Sequence, residues 1–295
     1  MMKTQTDPPD NKPSLYLPEK AMNLQKPFTG EGKDASGAPY RVRNGIIERL
    51  GHRKTGNQKT GSRKTGNREA GNSKTRTWRL RTPAQLSNLI PLTAVLYEDL
   101  WRKRSLSILG REPFSLEEEF RVLIRWLKPK EGGRYLDVGC STALYGRAIK
   151  EACSQCDVVA LDYSRPMLRE AAKRAAAEQA DLYLVRADAL EMPFLEGTFD
   201  GLAMGGTLNE LRKPARVLEE CRRVIREDGV FFCMYLLKAT KPVGKLAQWA
   251  ARLGGISFWS KNQSARLFQD AGFKVKKRLS MGVVCMVLLE PVARR

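Results

Sequence analysis

The stretch that decides the fold is RYLDVGCSTALYGRAIKEACSQCDVVALDYSRPMLREAAKRAAA, residues 134–177. It begins with an apolar strand that runs into Gly139, continues as a helical segment, and returns to a second apolar strand ending at Asp162. Ser164 can cap the Ala-rich helix that follows, and Pro166 suits the first turn of that helix. Such alternation of strand and helix predicts a parallel sheet covered by helices on both faces.

The C-terminal half of the chain repeats this alternation. Further strands are predicted at residues 181–188, 199–206 and 230–237, with helical segments between and after them. Residues 273–290 hold two final strands around a single glycine, so these two strands must pair as an antiparallel hairpin. We therefore predict an α/β fold, a Rossmann-like doubly wound sheet of seven strands with the last strand antiparallel.

Two helices are predicted ahead of this sheet. Residues 92–109 carry an apolar helical stripe, and residues 115–127 open with a Ser-x-x-Glu capping box and stop before a proline. We assign the folded domain to residues 78–295. Within it, residues 78–130 form a helical cap and residues 131–295 form the core.

The N-terminal part differs in composition. Residues 51–75 repeat a polar and basic pentad, GHRKT GNQKT GSRKT GNREA GNSKT, whose only apolar residue is Ala70. Such a sequence buries too little apolar surface to fold, so we expect residues 1–77 to be a disordered basic extension that folding does not require. The first 80 residues hold 17 basic and 7 acidic residues, which is +10 of the formal net charge of +20. A tether to nucleic acid or to an anionic membrane is the alternative to a plain linker.

The six cysteines lie mostly in apolar stretches. Cys153 and Cys156 form a lone Cys-x-x-Cys motif, no further ligands at metal-binding spacing are evident, and the single histidine, His52, lies in the repeat. We therefore predict no metal site and expect reduced thiols, with a redox pair as the alternative. Reduced thiols favour a cytoplasmic location. No apolar run reaches membrane-spanning length, and early acidic residues disfavour an organelle transit peptide.

Ligands of such a sheet are expected at the carboxyl ends of its strands. Three acidic residues lie there at regular spacing: Asp137 in the first strand, Asp162 after the second and Asp188 after the third. A carboxylate after the second strand can accept both hydroxyls of a ribose, one after the third can accept an adenine amino group, and one at the first favours a cation. Gly139 permits a close approach of the backbone. Each acid alone is better explained as a helix cap or turn residue, and only the regular spacing of the three favours a ligand site.

Residues 134–237 resemble the class I S-adenosylmethionine-dependent methyltransferases, in particular their small-molecule branch. YLDVGCSTALYGRAI is similar to the first glycine motif of that family, VVALDYSRPMLREA to its second strand and helix, LVRADALEMPFLEGTFDGLAMGGTLNEL to its adenine-contact stretch and fourth strand, and ARVLEECRRVIREDGVFF to the helix before its fifth strand. The resemblance implies S-adenosylmethionine as the cofactor. The residues that it places in the cofactor site are Asp137, Gly139, Ser141, Asp162, Tyr163, Met167, Asp188, Ala189 and Gly205.

The glycine motif departs from the family pattern at two positions. Ser141 stands where the family has Gly, and Ala143 stands where Gly is frequent. Both residues are small, but a positive φ at Ser141 would strain the loop and weaken binding. A protein that binds the cofactor without catalysis is therefore one alternative. A nicotinamide dehydrogenase is a weaker one, because the Gly-x-Gly-x-x-Gly fingerprint is absent.

Methyl transfer from a sulfonium is an in-line displacement in which the protein chiefly aligns donor and acceptor. An oxygen or activated-carbon acceptor also has to lose a proton. The candidates for catalytic residues are Asn209 and Glu210 after the fourth strand and Tyr97 in the first cap helix, with Glu98 and Asp99 beside it.

An aromatic and basic insertion follows the fifth strand at residues 238–260. Aromatic residues beside cations suit a flat apolar acceptor or a membrane surface, and they also suit a lid that simply packs on the core. We expect a small, largely apolar acceptor of the quinone, phenolic, tetrapyrrole or lipid type. An RNA methyltransferase with a basic tether is the alternative. We expect no stable protein partner, and expect peripheral contact of the extension with anionic membrane or nucleic acid.

Overall fold

The computed structural model describes residues 30–33, 39–43, 45–49 and 115–293. The strands are β1 (Gly30–Lys33), β2 (Pro39–Arg43), β3 (Ile46–Arg49), β4 (Arg134–Val138), β5 (Asp157–Asp162), β6 (Tyr183–Arg186), β7 (Phe199–Gly205), β8 (Ile225–Leu236), β9 (Phe273–Met281) and β10 (Val284–Pro291). The helices are α1 (Leu116–Leu127), α2 (Leu144–Ala152), α3 (Arg165–Ala177), α4 (Pro214–Val224), α5 (Pro242–Leu253) and α6 (Lys261–Asp270), and a 3-10 turn covers Thr207–Asn209. The pentad repeat and the predicted helix at residues 92–109, which carries Tyr97, Glu98 and Asp99, lie outside the described residues.

The strands form one sheet in the order β1-β2-β3-β6-β5-β4-β7-β8-β10-β9. Strands β4 to β8 pair in parallel, whereas β10 runs antiparallel to both of its neighbours, β8 and β9. The reversal follows from the tight turn at Gly282, whose φ of +56° lies in the left-handed region. The predicted doubly wound sheet of seven strands with an antiparallel last strand is therefore confirmed for β4 to β10.

Helices cover both faces of the sheet, as the alternation predicted. On one face, α1, α2 and α3 contribute Leu123, Ile149 and Leu168 to a buried apolar cluster. On the other face, α4 and α6 contribute Val217 and Phe268 to a second cluster. The carboxyl ends of β4 to β8 consequently meet at one edge of a rigid, filled core.

The capping box that opens α1 is confirmed. The backbone amide of Glu118 donates to the Ser115 hydroxyl, and the backbone amide of Ser115 donates to the Glu118 carboxylate, both at 3.1 Å. The helix ends where Lys128 takes a left-handed conformation, one residue before Pro129. This pair of end signals fixes α1 against the sheet through the buried Leu123 and Leu127.

Three strands lie in the segment that we expected to be disordered. β1, β2 and β3 form an antiparallel meander, and β3 then joins the edge of the domain by pairing in parallel with β6. Val42, Ile46 and Ile47 are buried. The prediction that residues 1–77 lack regular structure is wrong for these strands. A local signal was present, because an Asn-Gly pair at positions 44–45 between short apolar runs is a strong hairpin signature.

The Cys-x-x-Cys motif forms a disulfide between Cys153 and Cys156, so the expectation of reduced thiols is wrong for this pair. The backbone amide of Cys156 donates to the carbonyl of Cys153 at 3.1 Å, and this tight turn after α2 brings the two Cα atoms to 5.5 Å. The other four cysteines are buried free thiols. Among residues with described positions, no cluster of metal-ligating side chains is found, and no helix is long and apolar enough to span a bilayer.

Candidate active site

The loop that leaves β4 is shaped by Gly139 and Thr207. Gly139 has a φ of +65°, and a Cβ atom built there would lie 2.5 Å from the Thr207 Cγ2 atom. The Thr207 hydroxyl donates to the Gly139 carbonyl at 3.0 Å, so the turn after β7 closes over the loop after β4. Both the backbone conformation and the lack of space therefore require glycine at this position.

Ser141 and Ala143 adopt the left-handed backbone that their glycine counterparts in the family would favour. Their φ angles are +50° and +60°. A non-glycine residue in this conformation costs about 1–2 kcal/mol. Two hydrogen bonds hold the loop in place: the Ser141 amide donates to the Asp162 carboxylate at 2.9 Å, and the Ala143 amide donates to the Cys140 carbonyl at 2.7 Å.

Asp137 and Asp162 both organise the backbone at the strand ends. The buried Asp137 carboxylate accepts from the Gly146 amide at 2.9 Å and so fixes the first turn of α2. The buried Asp162 carboxylate accepts from the amides of Ser141 and Ser164 at 2.9 and 2.7 Å. Since a carboxylate offers about four acceptor sites, one such group can accept from backbone amides and from a ligand hydroxyl together.

Asp188 is the exposed member of the predicted acidic set. Its Oδ1 atom accepts from the Leu190 amide at 3.0 Å in a local turn, and the rest of the carboxylate faces solvent after β6. Tyr163, Ala189 and Gly205 are half-buried at the same edge. Met167, by contrast, has no exposed surface. Its side chain packs α3 on the sheet, and its contact with a ligand stays a prediction.

A small cavity lies between the β4 loop, the start of α2 and the end of β7. Its lining residues are Asp137, Gly139, Cys140, Ser141, Leu144, Tyr145 and Gly205. Four of the predicted site residues thus come together here. Among these seven residues the only charged side chain is a carboxylate, which suits a cationic ligand.

Cys140 also lines this cavity, and its thiol is neutral. Burial, reinforced by the charges of Asp137 and Asp162, raises the pKa of Cys140 well above its ordinary value. Because the thiolate is the nucleophilic form, Cys140 is unsuited to covalent catalysis.

The sequence interpretation missed a buried pair behind the cavity. The Tyr145 hydroxyl donates to the carboxylate of Glu119, which is fully buried in α1. The Tyr145 ring packs against Gly205, where a Cβ atom would lie 2.7 Å from the ring. A signal was available, because Glu119 occupies the apolar stripe of α1 four residues before Leu123.

The side chain of Asn209 is fully engaged by backbone groups. Its Nδ2 group donates to the carbonyls of Leu236 and Ser257 at 3.0 and 2.5 Å, and its Oδ1 atom accepts from the Leu236 amide at 2.8 Å. These contacts give Asn209 a structural role between the turn after β7 and the end of β8, and its catalytic role stays a prediction. Glu210 is half-buried at the end of the same turn, and its catalytic role stays a prediction. Tyr97 lies outside the described residues.

Helix α4 holds the loop beyond Asp188. The buried Glu220 carboxylate accepts from the Met192 amide at 2.9 Å, and Arg223 donates to the carbonyls of Met192 and Phe194 at 2.9 and 2.7 Å. Burial alone would raise the pKa of Glu220, but the hydrogen bonds from Arg223 and the Met192 amide outweigh it and hold the pKa below its ordinary value.

The N-terminal strand β3 also reaches the site edge. Its buried Glu48 carboxylate lies 3.0 Å from the Arg165 Nε atom and 3.6 Å from the Arg186 Nη1 atom. Arg186 in turn donates to the Tyr163 carbonyl at 3.1 Å. A carboxylate from residues 30–49 therefore braces the loops after β5 and β6.

Comparison with known proteins places this architecture in a family. Residues 136–233 match the profile of the methyltransferase domain family. An uncharacterised chloroplastic methyltransferase of Arabidopsis thaliana is 36% identical over 146 residues, which cover 48% of this chain and 40% of that protein. A demethylmenaquinone methyltransferase of Staphylococcus saprophyticus is 28% identical, over 57% of this chain and 82% of that protein. Residues 136–233 of this chain are therefore a methyltransferase domain.

A solved structure agrees at the level of the fold. A SAM-dependent methyltransferase from Aquifex aeolicus superposes with a TM-score of 0.53 at 18% identity, over 69% of this chain and 99% of that one. S-adenosylmethionine is the cofactor that such a methyltransferase domain implies. The donor set fits it, because the Asp137 carboxylate is the charged side chain in the cavity wall and suits a sulfonium and an ammonium, and Asp162 and Asp188 place further carboxylates at the strand ends. The chain spans less than half the length of the chloroplastic relative.

Proposed function

We propose that this protein transfers a methyl group from S-adenosylmethionine to a small, largely apolar acceptor. The observation that carries the proposal is the cavity at the ends of β4 and β7, with Asp137 in its wall and the apolar Leu144 and Tyr145 beside it. A demethylmenaquinone methyltransferase among the relatives supports a quinone-type acceptor, since that relative's name gives a methyl transfer to an apolar ring system.

Three acidic residues at the strand ends would each bind a different part of the cofactor. Asp188 would accept from the adenine amino group, Asp162 would accept from the ribose hydroxyls, and Asp137 with the backbone at Gly139 would hold the methionine end. The bound cofactor supplies an activated methyl group as a sulfonium. The protein holds donor and acceptor in line and excludes water, which together account for most of the catalytic effect in such displacements.

Proton removal from the acceptor needs a base. Glu210 ends the turn after β7, whose first residue, Thr207, donates to the Gly139 carbonyl, and we assign this task to Glu210. Tyr97 stays a second candidate. The Tyr145–Glu119 pair acts indirectly, because its hydrogen bond fixes the aromatic wall against Gly205.

Cofactor binding is tested most cleanly at Asp188. In Asp188→Asn the new amide oxygen can still accept from the Leu190 amide, so the local turn is kept. The amide NH2 group, however, is a donor and cannot accept a hydrogen bond from the adenine amino group. Calorimetry should show affinity for S-adenosylmethionine and its demethylated product falling by roughly 10- to 100-fold, the loss of one charge-assisted hydrogen bond. Asp181→Asn, an exposed acid at the opposite end of β6, is the matched control. Equal affinities for all three proteins would refute this assignment.

The acceptor class is tested without choosing a substrate. The full chain is incubated with methyl-labelled cofactor and cell extract, and the label is separated into organic-soluble, nucleic-acid and protein fractions. Label in the organic phase is expected. Label mainly in RNA would favour the RNA methyltransferase alternative, and cofactor binding without transfer would favour a non-catalytic binder.

Charge pairing on α4 supports a small acceptor over an RNA bound along that helix. On α4, the basic residues Arg216 and Arg223 are paired with Glu219 and Glu220 at 2.7–3.4 Å. A nucleic-acid surface would instead present unpaired cations on one face. The peripheral contact of the basic extension with anionic membrane or nucleic acid stays part of the proposal.

The location of the protein is a separate proposal. The cytoplasm was expected from sequence, whereas the Arabidopsis thaliana relative carries the word chloroplastic in its name. A fluorescent reporter fused after residue 77 and imaged in the host cell distinguishes the two: diffuse signal supports the cytoplasm, and organelle signal refutes it.

A further inference from the structure

Helix α5 exposes an apolar ridge. Four side chains are exposed to an extent unusual for their type: Val243 (81%), Leu246 (67%), Trp249 (59%) and Leu253 (69%). At 100° per residue these four positions fall within an arc of roughly 120° on one side of the helix. Exposed apolar side chains grouped in this way mark an interaction surface rather than ordinary surface scatter.

The opposite side of α5 holds the helix to the protein. Gln248 is the only residue of α5 that is buried, and its side chain donates to the Leu237 carbonyl at 2.8 Å and accepts from the Ala239 amide at 2.9 Å. Gly244 lies close to Ala239, where a Cβ atom would come within 2.8 Å of the alanine methyl group. The ridge therefore faces outward, because the Gln248 hydrogen bonds and the close contact at Gly244 hold the opposite side of α5 against the protein.

The charge around the ridge has one sign. Residues 237–261 contain five basic residues and no acidic residue. The exposed cations of this segment are Lys238, Lys241, Lys245, Arg252 and Lys261. On α5 itself, Lys245 and Arg252 lie along one flank of the ridge, at about 200° and 180° from Val243 by helix geometry.

We propose that α5 docks this protein onto an anionic lipid membrane surface, with Val243, Leu246, Trp249 and Leu253 inserted at the level of the headgroups and the flanking cations on lipid phosphates. An amphipathic helix with an apolar face, a tryptophan and a basic flank is the arrangement that binds such interfaces. A second copy of this chain fits the ridge less well, because pairing two α5 helices would set cations against cations. Nucleic acid would also fit less well, because its phosphates would bind the cations but would leave the four apolar side chains of the ridge exposed to water.

The docking surface adjoins the active-site edge of the sheet. The Lys238 amide donates to the Trp259 carbonyl at 2.9 Å, and the Ser257 amide donates to the Asn209 carbonyl at 2.7 Å. Both ends of the α5 insertion are thereby tied to the carboxyl ends of β7 and β8. Given the proposed function, a membrane-dissolved acceptor would meet the protein on this side; docking itself does not depend on that function.

The test is flotation of the full chain with vesicles of phosphatidylcholine, with and without phosphatidylglycerol. The double variant Leu246→Ser/Trp249→Ser removes the ridge and keeps every cation, whereas Leu279→Ser/Val292→Ser removes exposed apolar side chains elsewhere. We expect the ridge variant to lose at least about tenfold in partitioning onto anionic vesicles and the control variant to bind as the native chain does. Native protein should also show a blue shift of tryptophan emission on binding that Trp249→Phe abolishes.

Three results would overturn the proposal. The ridge variant could bind anionic vesicles as well as the native chain, which would assign binding to the basic extension. The native chain could associate in sedimentation experiments in a way that the ridge variant does not, which would assign the ridge to a second copy. The native chain could bind neither type of vesicle. Unchanged melting temperature and cofactor affinity in the ridge variant show that it is folded, and methyl transfer is scored separately because docking and catalysis can fail independently.

Discussion

Strand β3 makes the N-terminal segment part of the folded domain, and Ile47→Ala measures how much it contributes. Ile47 is 1% exposed and pairs with Val185 of β6. Deleting its three outer carbon atoms from such a site costs about 2–5 kcal/mol, because the transfer free energy and a residual cavity add. For a domain of this size, a loss of about 3 kcal/mol lowers the melting temperature by roughly 6–12 °C.

The matched control is Leu246→Ala, which also truncates a large aliphatic side chain but at a position 67% exposed. Its free energy of unfolding should stay within about 0.5 kcal/mol of the native value. Deletion of residues 1–29 should behave like this control, and deletion of residues 1–50 should behave like Ile47→Ala. Urea unfolding followed by circular dichroism measures all four proteins.

The same variants link the strand to the site. If β3 leaves the sheet edge, Arg165 and Arg186 lose the Glu48 carboxylate that pairs with both of them. Affinity for S-adenosylmethionine should then fall together with stability in the deletion of residues 1–50. A melting temperature for Ile47→Ala within about 1 °C of the native value would refute the reasoning, because it would mean that the strand buries nothing that folding needs.

Three further perturbations have defined outcomes. Ser141→Gly relieves a left-handed serine and should raise the free energy of unfolding by about 0.5–1 kcal/mol after the added freedom of the unfolded glycine is subtracted; a loss measured by urea unfolding would contradict the strain argument. Tyr145→Phe removes a hydrogen bond to the buried Glu119 and should cost about 1–3 kcal/mol in the same assay, whereas no change would rule out that bond. The folded-state pKa of Glu220 lies below its unfolded value, so its stabilisation is present above about pH 4.3 and is lost as the pH falls through the folded pKa. Glu220→Gln should therefore flatten the fall in unfolding midpoint on acidification, and parallel acid profiles would contradict the assignment.

Local signals were sufficient for much of the fold. The capping box at Ser115 and Glu118 and the serine cap of α3 at Ser164 appear in the structure as they appear in the sequence. Two strands connected only through Gly282 have to pair as a hairpin, so the antiparallel last strand was also predicted from the sequence. These features depend on neighbours within about four residues of one another, and the pattern of the chain records such neighbours directly.

What the sequence did not reveal depends on distant partners. The short strand β3 becomes stable only when β6, 138 residues further along the chain, covers its polar edge. Ile47 then lies opposite Val185, and Glu48 lies opposite Arg186. The catalytic prediction for Asn209 came from its place after a strand end, and that place did not reveal that its side chain binds the carbonyls of Leu236 and Ser257. Position in the chain locates the edge of a sheet, but it does not say which polar group is already satisfied there.

Ser141 and Ala143 stand where the family pattern has glycine, and their surroundings show how the site tolerates this departure. A serine in the left-handed region at position 141 is unfavourable by itself, so the loop keeps this shape only if its surroundings determine it. The Asp162 carboxylate does so by accepting from the Ser141 amide, and the Thr207 hydroxyl fixes the neighbouring Gly139 carbonyl. The same Asp162 is the residue expected to bind the ribose. Cofactor binding and loop shape are therefore coupled through one carboxylate, and Asp162→Asn should weaken both, whereas Asp188→Asn should weaken binding alone.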